Sequence, residues 1–233
     1  MFKYFKSLFR KKPRGGGGIK ASWNVDFKEN NIQLGDNFFC KISNIHIEGS
    51  NNSLTIGDNF KCEGVLSIVI IGDNNEIVIN DNVIVVNELK IYCHDDSKNC
   101  KITIGYGTSF YKTEISTYDN GSTVNIGNDC MFGYDTIVYN TDGHAIFQGG
   151  QLINIAKNLI VGNHVWCGWG STILKNSYIA DGCVVGKGAI VSGKFKEANS
   201  VIGGVPAKIL KRNICWDRKS VNRVLETKSA EKV

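Results

Sequence analysis

Histidine supplies the side chain best suited to proton transfer near neutral pH, because its ordinary pKa lies in that range. The chain has four histidines, namely His46, His94, His144 and His164. His144 lies in the segment NTDGHAIF, where the six-residue repeat found on either side is interrupted. Segments that leave a repeat often form binding sites. We therefore predict that His144 is a general base, which removes a proton from an attacking group.

Two other residues could take part in this proton transfer. Asp142 could orient the imidazole ring of His144 or stabilise its protonated form, although Asp-Gly is also an ordinary turn sequence. His164 is the alternative base, but it occupies a turn within an unbroken repeat, which favours a structural role. The nearest pair of histidines is twenty positions apart with no third histidine close by, so we predict that no metal is bound.

The repeat that surrounds His144 places an apolar residue at every sixth position. These positions are Ile155, Val161, Cys167, Ile173, Ile179, Val185 and Val191. Small or β-branched residues follow four positions later, at Val165, Ser171, Ser177, Cys183 and Ala189. A period of six fits neither an α-helix nor an ordinary strand. It predicts a solenoid with three short faces per coil, in which the apolar residue points inward and the small residue lies at a corner.

Weaker copies of the repeat extend toward the N-terminus, for example at Ile56-Gly57-Asp58-Asn59 and Ile71-Gly72-Asp73-Asn74. We predict a solenoid over residues 19–207, irregular over 30–119 and regular over 120–205. From Val138 to Ile155 there are 17 residues, one fewer than three repeats require. This mismatch predicts a loop over residues 140–154, which carries His144.

Composition limits the class of protein. The chain has 233 residues, of which 42% are apolar and 21% charged, enough for one or two domains. Residues 15–207 carry 13 basic and 19 acidic side chains, so the net charge of +5 comes from the two ends. This distribution argues against a nucleic-acid partner. Eight cysteines without a CxxC pair, and the lack of a signal-peptide pattern or an 18-residue apolar run, favour a cytoplasmic location.

The two ends of the chain differ from the repeat. Residues 1–18 comprise a basic amphipathic segment and a glycine linker; residues 1–12 could contact an anionic membrane at the inner face, or could form a cap or a tail. Residues 208–233 form a basic tail, with a helix expected over 215–227. The expected packing stripe of this helix consists of Trp216, Val221, Val224 and Leu225.

The regular half of the chain resembles the hexapeptide-repeat acyltransferases, in particular sugar and polysaccharide O-acetyltransferases. The resemblance rests on VGNHVWCGWGSTILKNSYIADGCVVGKGAIVSG, residues 161–193, and on SVIGGVPAKILKR, residues 200–212. It implies an all-β fold, a left-handed parallel β-helix with short helical segments at the N- and C-terminal ends. The handedness is implied by the resemblance alone.

The resemblance also implies roles for individual residues. His144 would be the catalytic base, Trp166 would shape the pocket around the acetyl group, and Gly168 would direct its backbone N–H at the thioester oxygen. Acetyl-CoA would be the acyl donor, bound between two subunits of a homotrimer. The residues expected to contact it are Gly168, Trp169, Gly186, Lys187, Ala189, Lys194, Lys208 and Lys211.

These features together predict an acetyl-CoA-dependent O-acetyltransferase that acts on a carbohydrate, such as a bacterial capsule or lipopolysaccharide. No Cys or Ser lies in a nucleophile setting beside His144, so direct transfer is expected. The alternatives are an N-acetyltransferase for a nucleotide-sugar, an acetyltransferase for an antibiotic, and a β-helix scaffold without activity.

Overall fold

The computed structural model describes residues 20–230, apart from the side chains of residues 94–96 and 227–230. The predicted amphipathic segment and the glycine linker, residues 1–18, lie outside the described residues, so membrane contact stays a prediction. Within residues 20–230 no helix is both long and apolar enough to cross a membrane.

The chain winds into a prism whose three faces are stacks of parallel strands. The first face consists of β2 (Asn31–Leu34), β4 (Ser53–Ile56), β6 (Glu76–Ile79), β8 (Lys101–Ile104), β10 (Thr123–Ile126), β15 (Leu159–Val161), β18 (Tyr178–Ile179) and β21 (Lys194–Phe195). The second face contains β11 (Met131–Phe132), β16 (Trp166–Cys167), β19 (Val184–Val185) and β22 (Val201–Gly204). The third face contains β12 (Thr136–Tyr139), β17 (Thr172–Leu174) and β20 (Ile190–Val191).

In the N-terminal coils one long strand serves both the second and the third face. These strands are β3 (Phe39–Glu48), β5 (Lys61–Asp73), β7 (Ile84–Lys98) and β9 (Ser109–Thr117), and β1 (Lys20–Val25) precedes them on the third face. Strand β9 shows the arrangement, because its start pairs with β11 and its end pairs with β12. The fold is therefore the predicted left-handed parallel β-helix.

The core is a column of apolar side chains stacked in register. On the first face Ile56 pairs with Ile79, Ile79 with Ile104, and Ile104 with Ile126, and all four are at most 2% exposed. These coils take 23, 25 and 22 residues, whereas the coil from Val161 to Ile179 takes 18. The six-residue period is therefore strict only in the C-terminal half, where each face is one repeat long.

Two predicted repeat positions are wrong. Ile71 is not the equivalent of Ile56, because Ile79 takes that place on the first face. Ile71 instead lies at the end of β5, ahead of a turn. Ile155 is 58% exposed and belongs to the loop, so the buried series begins at Val161.

The corner between the first and second faces places one residue of every coil in the left-handed region. These residues are Asn37, Asn59, Asn82, Gly107, Asp129, His164, Gly182 and Asn199, with φ between 52° and 69°. Asn, Asp and Gly tolerate this conformation best. The neighbouring Asp side chains also link coils, since Asp81 accepts the backbone N–H of Asp58 at 2.8 Å and Asp181 that of Asn163 at 2.7 Å.

The chain ends by folding back over this corner. Strand β23 (Ala207–Lys211) pairs antiparallel with β22, and the segment that follows carries Trp216 and Arg218 onto earlier coils. The Arg218 guanidinium donates hydrogen bonds to the Asp129 carboxylate, to Ser109 Oγ and to the Cys130 carbonyl, each 2.8 Å long. We call residues 213–220 the C-terminal strap.

The helix predicted over residues 215–227 starts later than expected. Helix α1 covers Val221–Ala230, because residues 215–220 are held in the strap. The predicted packing stripe is wrong as well. Val221 and Leu225 are 75% and 59% exposed, whereas Trp216 packs on a coil.

Candidate active site

The interruption of the repeat is a loop that leaves the prism where the third face meets the first. After β12 the chain forms a hairpin of two short strands, β13 (Phe147–Gln148) and β14 (Gln151–Leu152), and then enters β15. Asn140 Nδ2 donates hydrogen bonds to the Thr123 carbonyl at 3.0 Å and to the Lys157 carbonyl at 2.7 Å. These bonds tie the base of the loop to two coils.

Asp119, on the coil before the loop, forms hydrogen bonds with both ends of the loop. Its carboxylate accepts the backbone N–H of Ala156 at 2.6 Å and the hydroxyl of Thr141 at 3.0 Å. Sequence reasoning missed Asp119, because its partners are 22 and 37 positions away. The loop is thus a fixed feature of the coil on which it is built.

His144 lies in a cleft of about 370 Å³ between the loop and the preceding coil. Tyr118, Asp119 and Asn120 line the side of the coil, and Leu152 lines the side of the loop. The His144 carbonyl accepts a hydrogen bond from Asn154 Nδ2 at 2.8 Å, which fixes the backbone. The imidazole is exposed and has no hydrogen-bond partner among residues 20–230. Both ring nitrogens are therefore open to a ligand.

The predicted contact between Asp142 and the ring of His144 is not formed. The Asp142 carboxylate accepts hydrogen bonds from Lys175 Nζ and, at 2.9 Å, from Asn154 Nδ2. Burial raises the pKa of Asp142, but the hydrogen bonds and the charge of Lys175 outweigh it and hold the pKa below its usual value. Asp142 thus stays ionised near neutral pH and joins the loop to the next coil.

His164 is held at the corner by both of its ring nitrogens. Its Nδ1 lies 2.7 Å from the Asp129 carboxylate, and its Nε2 lies 3.1 Å from the Trp216 carbonyl. The indole of Trp216 stacks on the imidazole with centroids 4.1 Å apart, and its Nε1 donates to the His164 carbonyl at 2.8 Å. Both nitrogens face hydrogen-bond acceptors, so His164 is placed to hold the strap and not to accept a proton from a substrate.

His164→Ala is expected to lower the free energy of unfolding by about 1–3 kcal/mol, because it removes two hydrogen bonds and a ring stack. Transfer activity should be largely kept. Thermal melting and turnover measured on the same sample check both expectations. His164→Asn is the matched control, because Asn suits the left-handed backbone but cannot stack on Trp216. Loss of most activity in both variants, with unchanged melting, would overturn the structural assignment.

A second group of predicted residues lies on the second face and at its corner with the third face. Trp166 is 38% exposed on β16, and its ring lies 6.0 Å from that of Trp216 in the strap. Trp169 is 54% exposed at the corner after β16, and Lys187 Nζ of the next coil lies 5.2 Å from the centre of its ring. Trp169 and Lys187 therefore form an exposed pair on successive coils, and Trp166 lies apart from it beside the strap.

The predicted oxyanion donor at this corner is wrong. The N–H of Gly168 donates to the Val185 carbonyl at 2.8 Å, so it cannot serve an oxyanion. The N–H groups of Gly186 and Ala189 also have acceptors within the coils, at 2.7 Å and 3.2 Å, and the contact of these two residues with acetyl-CoA stays a prediction. Each glycine lies where the chain still pairs with the next coil, and its N–H points along the prism.

The residue after each of these glycines offers a better donor. The backbone N–H groups of Trp169 and Lys187 have no acceptor in the described part of the chain, and they lie one coil apart at the same corner. The carbonyl of Trp169 accepts the N–H of Gly188 at 2.9 Å, which fixes the peptides of this turn. Side-chain identity does not reveal such donors, so the sequence could not indicate them.

The remaining predicted lysines do not form a single cluster. Lys208 and Lys211 lie on β23, which pairs with the last strand of the second face. Lys194 lies on β21 of the first face, away from the Trp169 corner. All three side chains are exposed. Lys208 and Lys211 thus extend the side of the prism that carries Lys187, and Lys194 does not.

The loop and the Trp169 corner lie at opposite edges of the third face. Trp169 lies at the corner before β17, and Lys175, the partner of Asp142, lies at the corner after it. Trp169 does not line the cleft that holds His144. A single chain therefore does not place Trp169 in the cleft of its own His144.

No protein-family model matches the chain. Individual known proteins, however, show the family to which it belongs. The chain is 37% identical over 163 residues to the polysialic acid O-acetyltransferase of Neisseria meningitidis, a match covering 65% of this chain and 75% of that relative.

Two solved structures share the fold at a similar identity. The polySia-specific acetyltransferase NeuO superposes with a TM-score of 0.69 at 30% identity, covering 88% of this chain and 87% of that one. The polysialic acid O-acetyltransferase OatWY gives a TM-score of 0.63 at 31% identity, with coverages of 86% and 97%. The six-residue repeat and the exposed histidine of the loop agree with these similarities. The chain is an acyltransferase and belongs to the family of hexapeptide-repeat O-acetyltransferases.

Proposed function

We propose that the protein transfers an acetyl group from acetyl-CoA to a hydroxyl group of an acidic bacterial surface polysaccharide. The observation that carries the proposal is the unpartnered imidazole of His144 in its open cleft. The acceptor class is supported by the relatives, which are named as acetyltransferases of polysialic acid.

The transfer needs no covalent enzyme intermediate. His144 takes the proton of the acceptor hydroxyl while the oxygen attacks the thioester carbon. The new C–O bond forms, the C–S bond breaks, and the proton passes from the imidazole to the departing thiolate. The two open N–H groups of Trp169 and Lys187 are candidate donors to the carbonyl oxygen, which becomes negative during the attack.

The donor is proposed to lie along the Trp169 corner toward the C-terminal coils. Its phosphates carry negative charge, and Lys187, Lys208 and Lys211 supply exposed positive charge on that side of the prism. Lys194 is left out of this set, because it lies on the first face.

A second copy of the chain is proposed to complete the site, in the trimer that the family resemblance implies. The loop exposes apolar side chains that a single chain leaves in water, namely Ile146, Phe147, Ile153 and Ile155, each 50–64% exposed. Such a patch is typical of an interface. If it packs on a neighbour, the His144 of one subunit can face the Trp169 corner of the next.

The direct test is acetyl transfer in vitro. Purified protein is incubated with acetyl-CoA and a panel of acceptors, namely polysialic acid, neutral polysaccharide, nucleotide-sugars and chloramphenicol, while thiol release and product mass are followed. Acetylation of the acidic polymer is expected. Acetyl-CoA at a hundred times its Kd should also raise the stability by about 2.7 kcal/mol. Transfer only to a nucleotide-sugar or to chloramphenicol would contradict the proposed acceptor.

A further inference from the structure

A line of exposed aromatic rings runs along the corner between the second and third faces. Tyr111, Tyr134 and Trp169 lie on three successive coils and are 37%, 37% and 54% exposed. The ring centres of Tyr111 and Tyr134 are 5.1 Å apart, and those of Tyr134 and Trp169 are 5.4 Å apart. We call these three residues the aromatic track.

The aromatic track is not part of the core. Inside the prism, Phe110 and Phe132 stack with centres 5.0 Å apart and are fully buried. Tyr111 lies directly after Phe110 and its ring is on the outside. The hydroxyls of Tyr111 and Tyr134 have no hydrogen-bond partner among the residues that the structure describes. The three rings pack on one another, and the exposed part of each, with the two free hydroxyls, is open to a ligand.

The position of the aromatic track along the prism indicates which ligand it holds. Its C-terminal end is Trp169, next to Lys187, where the phosphorylated donor is proposed to bind. Its N-terminal end at Tyr111 points away from the basic side chains of the last coils. The charges beside it are paired, as in the ion pair of Lys112 with Asp135 at 2.7 Å. The rings are tilted by 43–47° to one another. They offer apolar faces and edges, with no unpaired cluster of basic groups among the described residues, which suits the C–H faces of sugar rings better than the phosphates of a nucleotide.

The spacing of the rings also fits a polymer. Pyranose rings stack their C–H faces on aromatic side chains, and the coils that carry the three rings repeat at about 4.8 Å, a distance comparable to the length of one sugar residue. Asp135 lies beside the track, where it bonds both Lys112 and Trp169 and can accept from sugar hydroxyls, while Lys112 can pair with a sugar carboxylate.

We propose that Tyr111 and Tyr134, together with Trp169, form a binding track for an extended polysaccharide acceptor, with the acetylated sugar at the Trp169 end. This inference rests on the proposed function and adds to it a subsite and a dependence on acceptor length. Trp169 contacts both substrates, whereas Tyr111, two coils away, contacts only the acceptor. Tyr111 therefore determines how well long chains bind.

The test compares acceptors of different length. Tyr111→Ala is expected to raise the KM for long polysialic acid by about three- to tenfold, the usual value of one aromatic stack. The KM for a short acceptor, the trimer of sialic acid, should not change, and neither should the KM for acetyl-CoA. Tyr111→Phe should restore the wild-type KM, because the ring is kept. Tyr106→Ala is the matched control, since Tyr106 is 55% exposed on the same coil but at another corner.

Each outcome decides the proposal. An unchanged KM for the polymer in Tyr111→Ala, or an equal rise for polymer and trimer, would overturn it. A change of native mass in Tyr111→Ala would assign the ring to a subunit contact instead. If the wild type acetylates no glycan, the proposed function fails. Equilibrium binding of polysialic acid then tests the aromatic track separately. The track is supported if the wild type binds the polymer and Tyr111→Ala binds it more weakly, and it is contradicted otherwise.

Discussion

His144→Ala should lower kcat by about 10²–10⁴-fold, the usual contribution of a positioned general base. The melting temperature should stay nearly the same, because the side chain is exposed and the His144 backbone is held by Asn154. Affinity for acetyl-CoA should also persist, since the proposed donor contacts lie at Trp169 and Lys187. Turnover, melting and acetyl-CoA binding measured on one preparation check the three expectations together.

The pH profile separates a base from a residue that only shapes the cleft. Wild-type turnover should rise with pH through one ionisation, as expected for an imidazole that must be neutral to accept a proton. That limb should be missing in His144→Ala. His164→Asn, which loses the ring at the strap, should keep the limb. If His144→Ala retains near-wild-type turnover, the base has been assigned to the wrong residue, although the fold and the family would stand.

The part of the fold that could be predicted is the part in which sequence period and structural period coincide. From Val161 to Val191 each face is one six-residue repeat long, so every sixth residue is buried. In the N-terminal half the second and third faces share long strands, such as the 13 residues of β5, and the coils take 22–25 residues. The period then changes from coil to coil. For this reason Ile71 resembles a repeat position equivalent to Ile56, although Ile79 takes that place.

The candidate site could be predicted only where function depends on a side chain in a loop. His144 was found because it interrupts the repeat. The prediction that Gly168 donates to the oxyanion is wrong because the direction of an N–H depends on backbone geometry, which residue type does not specify. The loop anchor Asp119 and the stacking of Trp216 on His164 join residues 22–52 positions apart. No local pattern indicates contacts of that range.

The separation of His144 from Trp169 has a consequence for the assembly that can be measured. His144 and Trp169 lie at opposite edges of one face, and Trp169 does not line the His144 cleft of the same chain. The apolar side of the loop is also left uncovered in a single chain. Both observations are explained if the loop of one subunit packs beside the Trp169 corner of another, so that each site takes residues from two chains.

His144→Ala and Trp169→Ala should each be nearly inactive alone, yet co-assembly of the two variants should restore activity. A restored site takes its histidine from a Trp169→Ala subunit and its tryptophan from a His144→Ala subunit. In a closed ring of three that contains both variants, one of the three sites combines the two intact residues, so turnover of the doubly tagged assemblies should recover to about a third of the wild-type value. The measurement is turnover of differently tagged, co-expressed chains purified through both tags in succession.

The control pairs His144→Ala with Asp119→Ala, two changes that act on the same loop edge. Asp119 anchors the loop that carries His144 in the same subunit, so no site in that mixture combines an intact His144 with an intact loop anchor. Activity of the mixture should therefore not exceed the activity that its Asp119→Ala subunits show alone. Double-tagged assemblies of His144→Ala and Trp169→Ala that remain inactive would contradict the shared site. Each of these variants alters a side chain outside the buried column, so the melting temperature of both homo-oligomers should be unchanged. With unchanged melting, a lack of restored activity would reflect the geometry of the site and not the loss of the fold.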